Sequence, residues 1–198
     1  MGVYAAVNEE VERGHVANIL LIFLICYLFV AISYRSNIAG LVIVFSLATA
    51  TIGSLAWMAW RETGLTIQTL PVQSVGVGVG VDYAFYTTDR IRQEYSWLGD
   101  LDEAIRRAIR TTGMAVSFTA TTVIGGIVAW AFSGLRFQAE MAQLLSILMF
   151  VNMLGAIYLV PACFSIFRPK FFAASLSEVT QQHHLGNSEP LPVAARAS

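Results

Sequence analysis

Five apolar runs, at 17–34, 38–60, 69–88, 113–132 and 141–167, constrain this chain more than any other feature. Each approaches or exceeds the roughly 20 residues that carry an α-helix through the hydrocarbon of a bilayer. Within lipid every backbone donor and acceptor must be met inside the segment, so runs of this length form helices and not lone strands. The expectation is an all-α membrane protein with five transmembrane helices. Composition agrees: 56% of the residues are hydrophobic and 13% charged, against about 25% charged in a soluble domain. A net charge of −1 gives no electrostatic footprint for nucleic acid. Cys26 and Cys163 both fall inside apolar runs, where a thiol packs as a small hydrophobe. The acidic opening at 1–16 has no basic region of a secretory signal and reads as a remnant or linker leading out of an extracytoplasmic domain.

The third run contains the anomaly, Gly76-Val77-Gly78-Val79-Gly80-Val81-Asp82-Tyr83. A carboxylate at membrane depth costs about 2.5–3.5 kcal/mol on insertion scales, so Asp82 is expected to face a bundle interior or a wet cavity, with a partner. Gly76 and Gly80 stand one helical turn apart and allow a neighbouring backbone to come close. With Gly78 they are expected to pack tightly beside the carboxylate.

Arginine and lysine divide unequally between the loops. Nine of the twelve, including Arg90, Arg92, Arg106, Arg107 and Arg110, fall on one side, and only Arg13, Arg61 and Arg136 on the other. The positive-inside rule makes the basic side cytoplasmic, with the N-terminus outside, the C-terminus inside and Trp57, Trp60 and Trp130 at the outer interface. The long inner loop at 89–110 carries a helix of its own at 100–110: Asp100 and Glu103 have capping-box spacing, and Leu101, Ala104, Ile105, Ala108 and Ile109 recur along one face. That amphipathic helix is expected along the inner membrane surface, although a solvated connector fits the same residues.

In the fourth run Gly113, Ser117, Thr121 and Gly125 form a stripe of small residues four apart, expected to meet another helix. Ser117 and Thr121 are candidates for supporting packing or for hydrogen bonding towards Asp82; hydroxyls bonded back to their own helix explain the same pattern. Gln143, Ser146 and Asn152 in the fifth run read as interhelical hydrogen-bonding groups. The stretch 173–198 has no apolar periodicity and reads as a disordered cytoplasmic tail, with His183-His184 lacking the further ligands of a metal site.

With those residues in hand, the chain resembles the RND superfamily of exporters, and the MMPL type in particular. Gly76 to Tyr86, then Thr88-Asp89-Arg90-Ile91-Arg92-Gln93-Glu94, resembles the family's Gly-rich Asp-Tyr helix; 104–122 and Leu159-Val160-Pro161-Ala162 resemble the helices that follow. The resemblance implies half of an RND-type membrane domain, the C-terminal half, in which Asp82 and Tyr83 match the proton-relay pair. It implies export of hydrophobic or amphiphilic molecules, among them lipids, driven by the proton-motive force without a bound cofactor, in the cytoplasmic membrane. It also implies a partner, since such exporters have twelve membrane helices in two halves with large extracytoplasmic domains. Set against that pattern, this chain reads as incomplete alone, needing an N-terminal half or complementary subunit.

Two other classes stay in view. Intramembrane aspartyl proteases carry a Gly-x-Gly-Asp pattern, but here one residue too many separates glycine from aspartate and no second carboxylate lies deep in a run, so an enzyme is not expected. A non-catalytic membrane scaffold or split subunit would share every helical feature. The topology has its own test: with Cys26 and Cys163 replaced, Gln93→Cys is expected to resist an impermeant thiol reagent added outside the cell, and labelling from outside would invert the assignment.

Overall fold

The computed structural model describes residues 2–61 and 70–168, and these fold entirely as helices and short connections. Helix α1 spans Gly2–Tyr34, α2 Asn37–Trp60, α3 Leu70–Leu98, α4 Leu101–Ala108, α5 Met114–Val128, α6 Arg136–Leu154 and α7 Val160–Phe167. A π-turn at Ile109–Gly113 joins α4 to α5, a second at Gly155–Leu159 joins α6 to α7, and a 3-10 turn at Ala129–Phe132 ends α5. The anticipated tail at 173–198 lies outside the described residues.

Local chemistry explains where the chain turns. Arg35 takes a left-handed φ of 48° after α1, and Ser36, extended, accepts a hydrogen bond from the Ala39 amide to start α2. Gly99 supplies the positive φ of 70° that ends α3. Asp100 then caps α4 by accepting from the Asp102 amide at 3.0 Å. Pro161 has no N–H for the carbonyl four residues back, and the π-turn just before it lets the helical path run on.

Four boundaries differ from the sequence reading, the first being α1, which begins at Gly2 and not at residue 17. Helix α3 does not stop near Thr88 but continues to Leu98; α4 runs into α5 as one helical path from Leu101 to Phe132; and α6 starts at Arg136 instead of 141. The charged residues after Thr88 lie on helix projecting beyond the apolar layer. At 29 residues α3 is about 43 Å long, against about 30 Å of hydrocarbon.

Four segments are long and apolar enough to cross a bilayer: Val16–Tyr34, Asn37–Trp60, Leu101–Phe132 and Arg136–Phe167. Helix α3, the expected fifth, has the length but is diluted by Gln73, its glycines and Asp82. It is nonetheless surrounded, packing on α1, α2, α4, α6 and α7. The segments alternate in direction. Met58 near the end of α2, Val72 near the start of α3 and Leu144 on α6 close one end of the bundle, while Arg168 and Asp102 pair at 2.8 Å at the other.

The apolar face of α4 is closed by protein. Leu101, Ala104, Ile105 and Ala108 are all buried, against α3 and α7. The expected surface helix is therefore one arm of a helical hairpin with α3, pinned by buried Glu94, which pairs with Arg90 at 2.7 Å and Arg107 at 3.4 Å.

The tightest seam joins α3 to α6. A Cβ added at Gly76 would run into Leu148, and one added at Gly80 into the Asn152 amide, whose Nδ2 donates to the Gly76 carbonyl at 3.2 Å. Nothing lies within 4 Å of a Cβ added at Gly78. Gly80→Ala should therefore destabilise the protein by about 1–3 kcal/mol through overpacking, while Gly78→Ala leaves the isolated chain as stable or slightly firmer, since alanine is the better helix former. Thermal unfolding of the two variants in detergent checks the contrast.

Candidate functional site

Asp82 lies midway along α3 and is exposed. At about 100° per residue it points some 200° away from Gly80, so the expectation that the glycine face flanks the carboxylate fails: Gly76 and Gly80 are buried on α6, and Gly78 is exposed on the side of Asp82. The other neighbours of α3 occupy distinct sides. Gln73 donates to the Ser54 hydroxyl of α2 at 3.1 Å. Helix α1 reaches Ser74 through Asn18 at 2.7 Å, and Phe85 through the Tyr34 ring at 5.1 Å between centroids. Tyr83, Tyr86 and Arg90 line a groove against the α4–α5 segment. On a helical projection Asp82 emerges between the α1 side and the α5 side. Among the described residues it has no hydrogen-bond or ion-pair partner.

Tyr83, one residue on, is turned about 100° round the helix, towards the α4–α5 segment. It is 4% exposed, and its hydroxyl is buried without a hydrogen-bond partner. The sequence-nominated pair thus splits between an open carboxylate and a sequestered phenol, bonded neither to each other nor to a third residue.

Ser117 and Thr121 do not reach this pair by hydrogen bonds. The Thr121 hydroxyl donates to the Ser117 carbonyl at 2.7 Å, and Thr119 and Thr122 likewise bond back to residues 115 and 118. Of the small-residue stripe, Gly113 is buried, Ser117 half-buried, and Thr121 and Gly125 exposed, with nothing within 4 Å of a Cβ at Gly125. Helix α5 meets α6 along one side and leaves the rest of that stripe open. The fifth-run expectation holds for Asn152, which bonds α3, and fails for Ser146, whose hydroxyl donates to the Ala142 carbonyl of its own helix.

The sequence reading gave Asp89, Arg90 and Gln93 no role at the site, because it ended the helix at Thr88. With α3 continuous, Asp82, Tyr86, Asp89 and Gln93 follow one another at intervals of four, three and four residues, one face of a helix. Tyr86, Asp89 and Gln93, without Asp82, border a groove of about 560 Å³ together with Tyr83, Arg90, Thr112, Ala115, Val116 and Thr119. Asp89 lies seven residues from Asp82, about 10 Å along the axis, too far for the two to share a proton as a carboxylate dyad does. No cluster of three metal-ligating side chains occurs among the described residues.

Comparison with known proteins gives a profile match to the MMPL family over residues 2–182. Membrane protein YdfJ of Bacillus subtilis is 29% identical over 181 residues, covering 88% of this chain and 24% of YdfJ. The hopanoid transporter HpnN of Burkholderia multivorans is 24% identical over 174 residues, 84% of this chain and 18% of that protein. The probable trehalose monomycolate exporter MmpL3 of Mycobacterium leprae is 28% identical over 95 residues, 48% of this chain and 10% of that one. The chain thus spans a quarter or less of the length of these relatives.

Proposed function

The chain belongs to the MMPL family, and from that membership we propose that it forms part of a proton-coupled exporter of hydrophobic or amphiphilic molecules, lipids among them, and acts as a transporter component and not as an enzyme. Relatives named as a hopanoid transporter and a trehalose monomycolate exporter support the substrate class. The observation that carries the relay role is the setting of Asp82: an exposed carboxylate in a bilayer-length helix, flanked by a buried Tyr83 hydroxyl with no partner. Such a charge is costly in lipid and cheap beside a complementary polar group. A second membrane half, from an N-terminal portion or a separate subunit, would enter the gap between α1 and α5 and supply that group. The free energy comes from the proton-motive force, with no bound cofactor. Five crossings of the cytoplasmic membrane, α3 among them, place the Arg-rich side of α4 in the cytoplasm and the N-terminus outside.

The isosteric Asp82→Asn variant, made in the cell's own transporter, decides the matter. Export of a hydrophobic dye driven by a proton gradient is expected to fall to background while the protein's amount in the membrane is unchanged. Undiminished export would leave Asp82 a helix-locking residue and favour the scaffold reading.

A further inference from the structure

We infer that the apolar groove between α2 and α7 holds one acyl chain of an anionic glycerophospholipid from the leaflet on the basic side of the membrane, with its phosphate at Arg35 and Arg168. This lipid is a resident of the fold and not the exported cargo.

Ile38, Leu41, Val42 and Phe45 of α2 and Cys163 and Phe167 of α7 line a groove of about 360 Å³. Every wall is apolar, Cys163 included, since its thiol packs as a small hydrophobe. Leu41, Phe45 and Phe167 are more than half exposed, so the described chain leaves this furrow open. From Ile38 to Phe45 it follows about 10 Å of α2. It starts at the end of the bundle where Arg168 meets Asp102 and reaches about two-thirds of the way through one leaflet, half of the roughly 30 Å of hydrocarbon. That length and lining suit a hydrocarbon chain lying along the helices. The gap assigned above to a second membrane half is bounded by α1 and α5, and neither lines this groove.

Charge at the mouth selects the headgroup. Arg35 stands just before Ile38 in the α1–α2 turn, and Arg168 directly follows Phe167, so an arginine flanks the end of each wall. The Arg35 guanidinium is exposed and has no hydrogen-bond or ion-pair partner among the described residues. Arg168 engages Asp102 through one nitrogen and keeps its other N–H donors, with the side chain 64% exposed. Their backbones add an independent observation. Arg35 and Arg168 are the non-glycine residues of positive φ among those described, at 48° and 39°, a conformation that strains an L side chain and suits glycine. After α3 the corresponding position is Gly99. A helix dipole alone would favour a cation equally at that end, yet arginine replaces glycine only at the two turns that meet the groove. The guanidinium fork matches phosphate oxygens in pairs, and two such cations repel the ammonium of a zwitterionic headgroup. A lipid so placed ties the α1–α2 turn to the end of α7.

The test uses the whole transporter of the native cell, with this chain in place, in vesicles of dioleoyl phosphatidylcholine. The probe is phosphatidylglycerol carrying a diazirine near the end of one acyl chain. On illumination it should label the peptides that hold Phe45 or Cys163, and unlabelled dioleoyl phosphatidylglycerol should compete several-fold better than added dioleoyl phosphatidylcholine. Arg35→Gln should lower the labelling several-fold and Arg35→Lys should keep most of it, a rescue that packing alone would not produce. If Arg35→Gln does not accumulate, the competition in the unaltered transporter decides by itself. Equal competition by the two lipids, or unchanged labelling in Arg35→Gln, overturns recognition of an anionic headgroup. Label confined to other helices overturns the groove. Loss of the label's site on energising the vesicles with a proton gradient makes the lipid cargo and overturns its residence. Cross-linking of Phe45→Cys to another segment of the transporter shows protein covering the groove and overturns the inference as well.

Discussion

The bundle depends on how closely α3 and α6 approach. Without side chains at Gly76 and Gly80, Leu148 and Asn152 reach the α3 surface, and Asn152 bonds the Gly76 carbonyl. In a bilayer no hydrophobic force separates helix contacts from lipid contacts, so small residues and interhelical hydrogen bonds carry association. The same device recurs. Gly155 leaves room for the Ser46 side chain of α2, and Gly40 leaves room for the Tyr27 ring of α1. These seams fix α2, α3 and α6 as an inner group, with α1 and the α4–α5 segment outside it. Anchoring α3 from one side decides which residues it turns to the other, and Asp82 is among them.

Much of this was legible in the sequence. Runs of apolar residues set helix identity because lipid permits little else, and the Gly76–Gly80 spacing announced a close seam. What stayed hidden had physical causes. Charge density after Thr88 resembles a loop when the membrane is taken as the limit of a helix, yet α3 outgrows the hydrocarbon and its last turns are clothed by α4. The apolar face of α4 does not say whether lipid or protein covers it, since both are satisfied by the same residues. The side on which Asp82 emerges needed the neighbours of α3, which no single-helix periodicity supplies.

The π-turns illustrate a further limit. Ile109–Gly113 carries no proline and its one glycine stands last, yet the helix takes a wider turn there. One extra residue in the turn re-aims everything after it. Residues of α4 therefore face α3 and α7, whereas α5 faces α6.

The Glu94 clamp gives the hairpin a mechanical meaning. Its carboxylate is held from α3 by Arg90 and from α4 by Arg107, and Asp102 at the start of α4 holds Arg168 just past α7. These ion pairs tie three helix ends at the basic face into one linked piece. The last turns of α3 are thereby tied through α4 to the end of α7, so that one end of the bundle is laced by charge where its middle is joined by close packing.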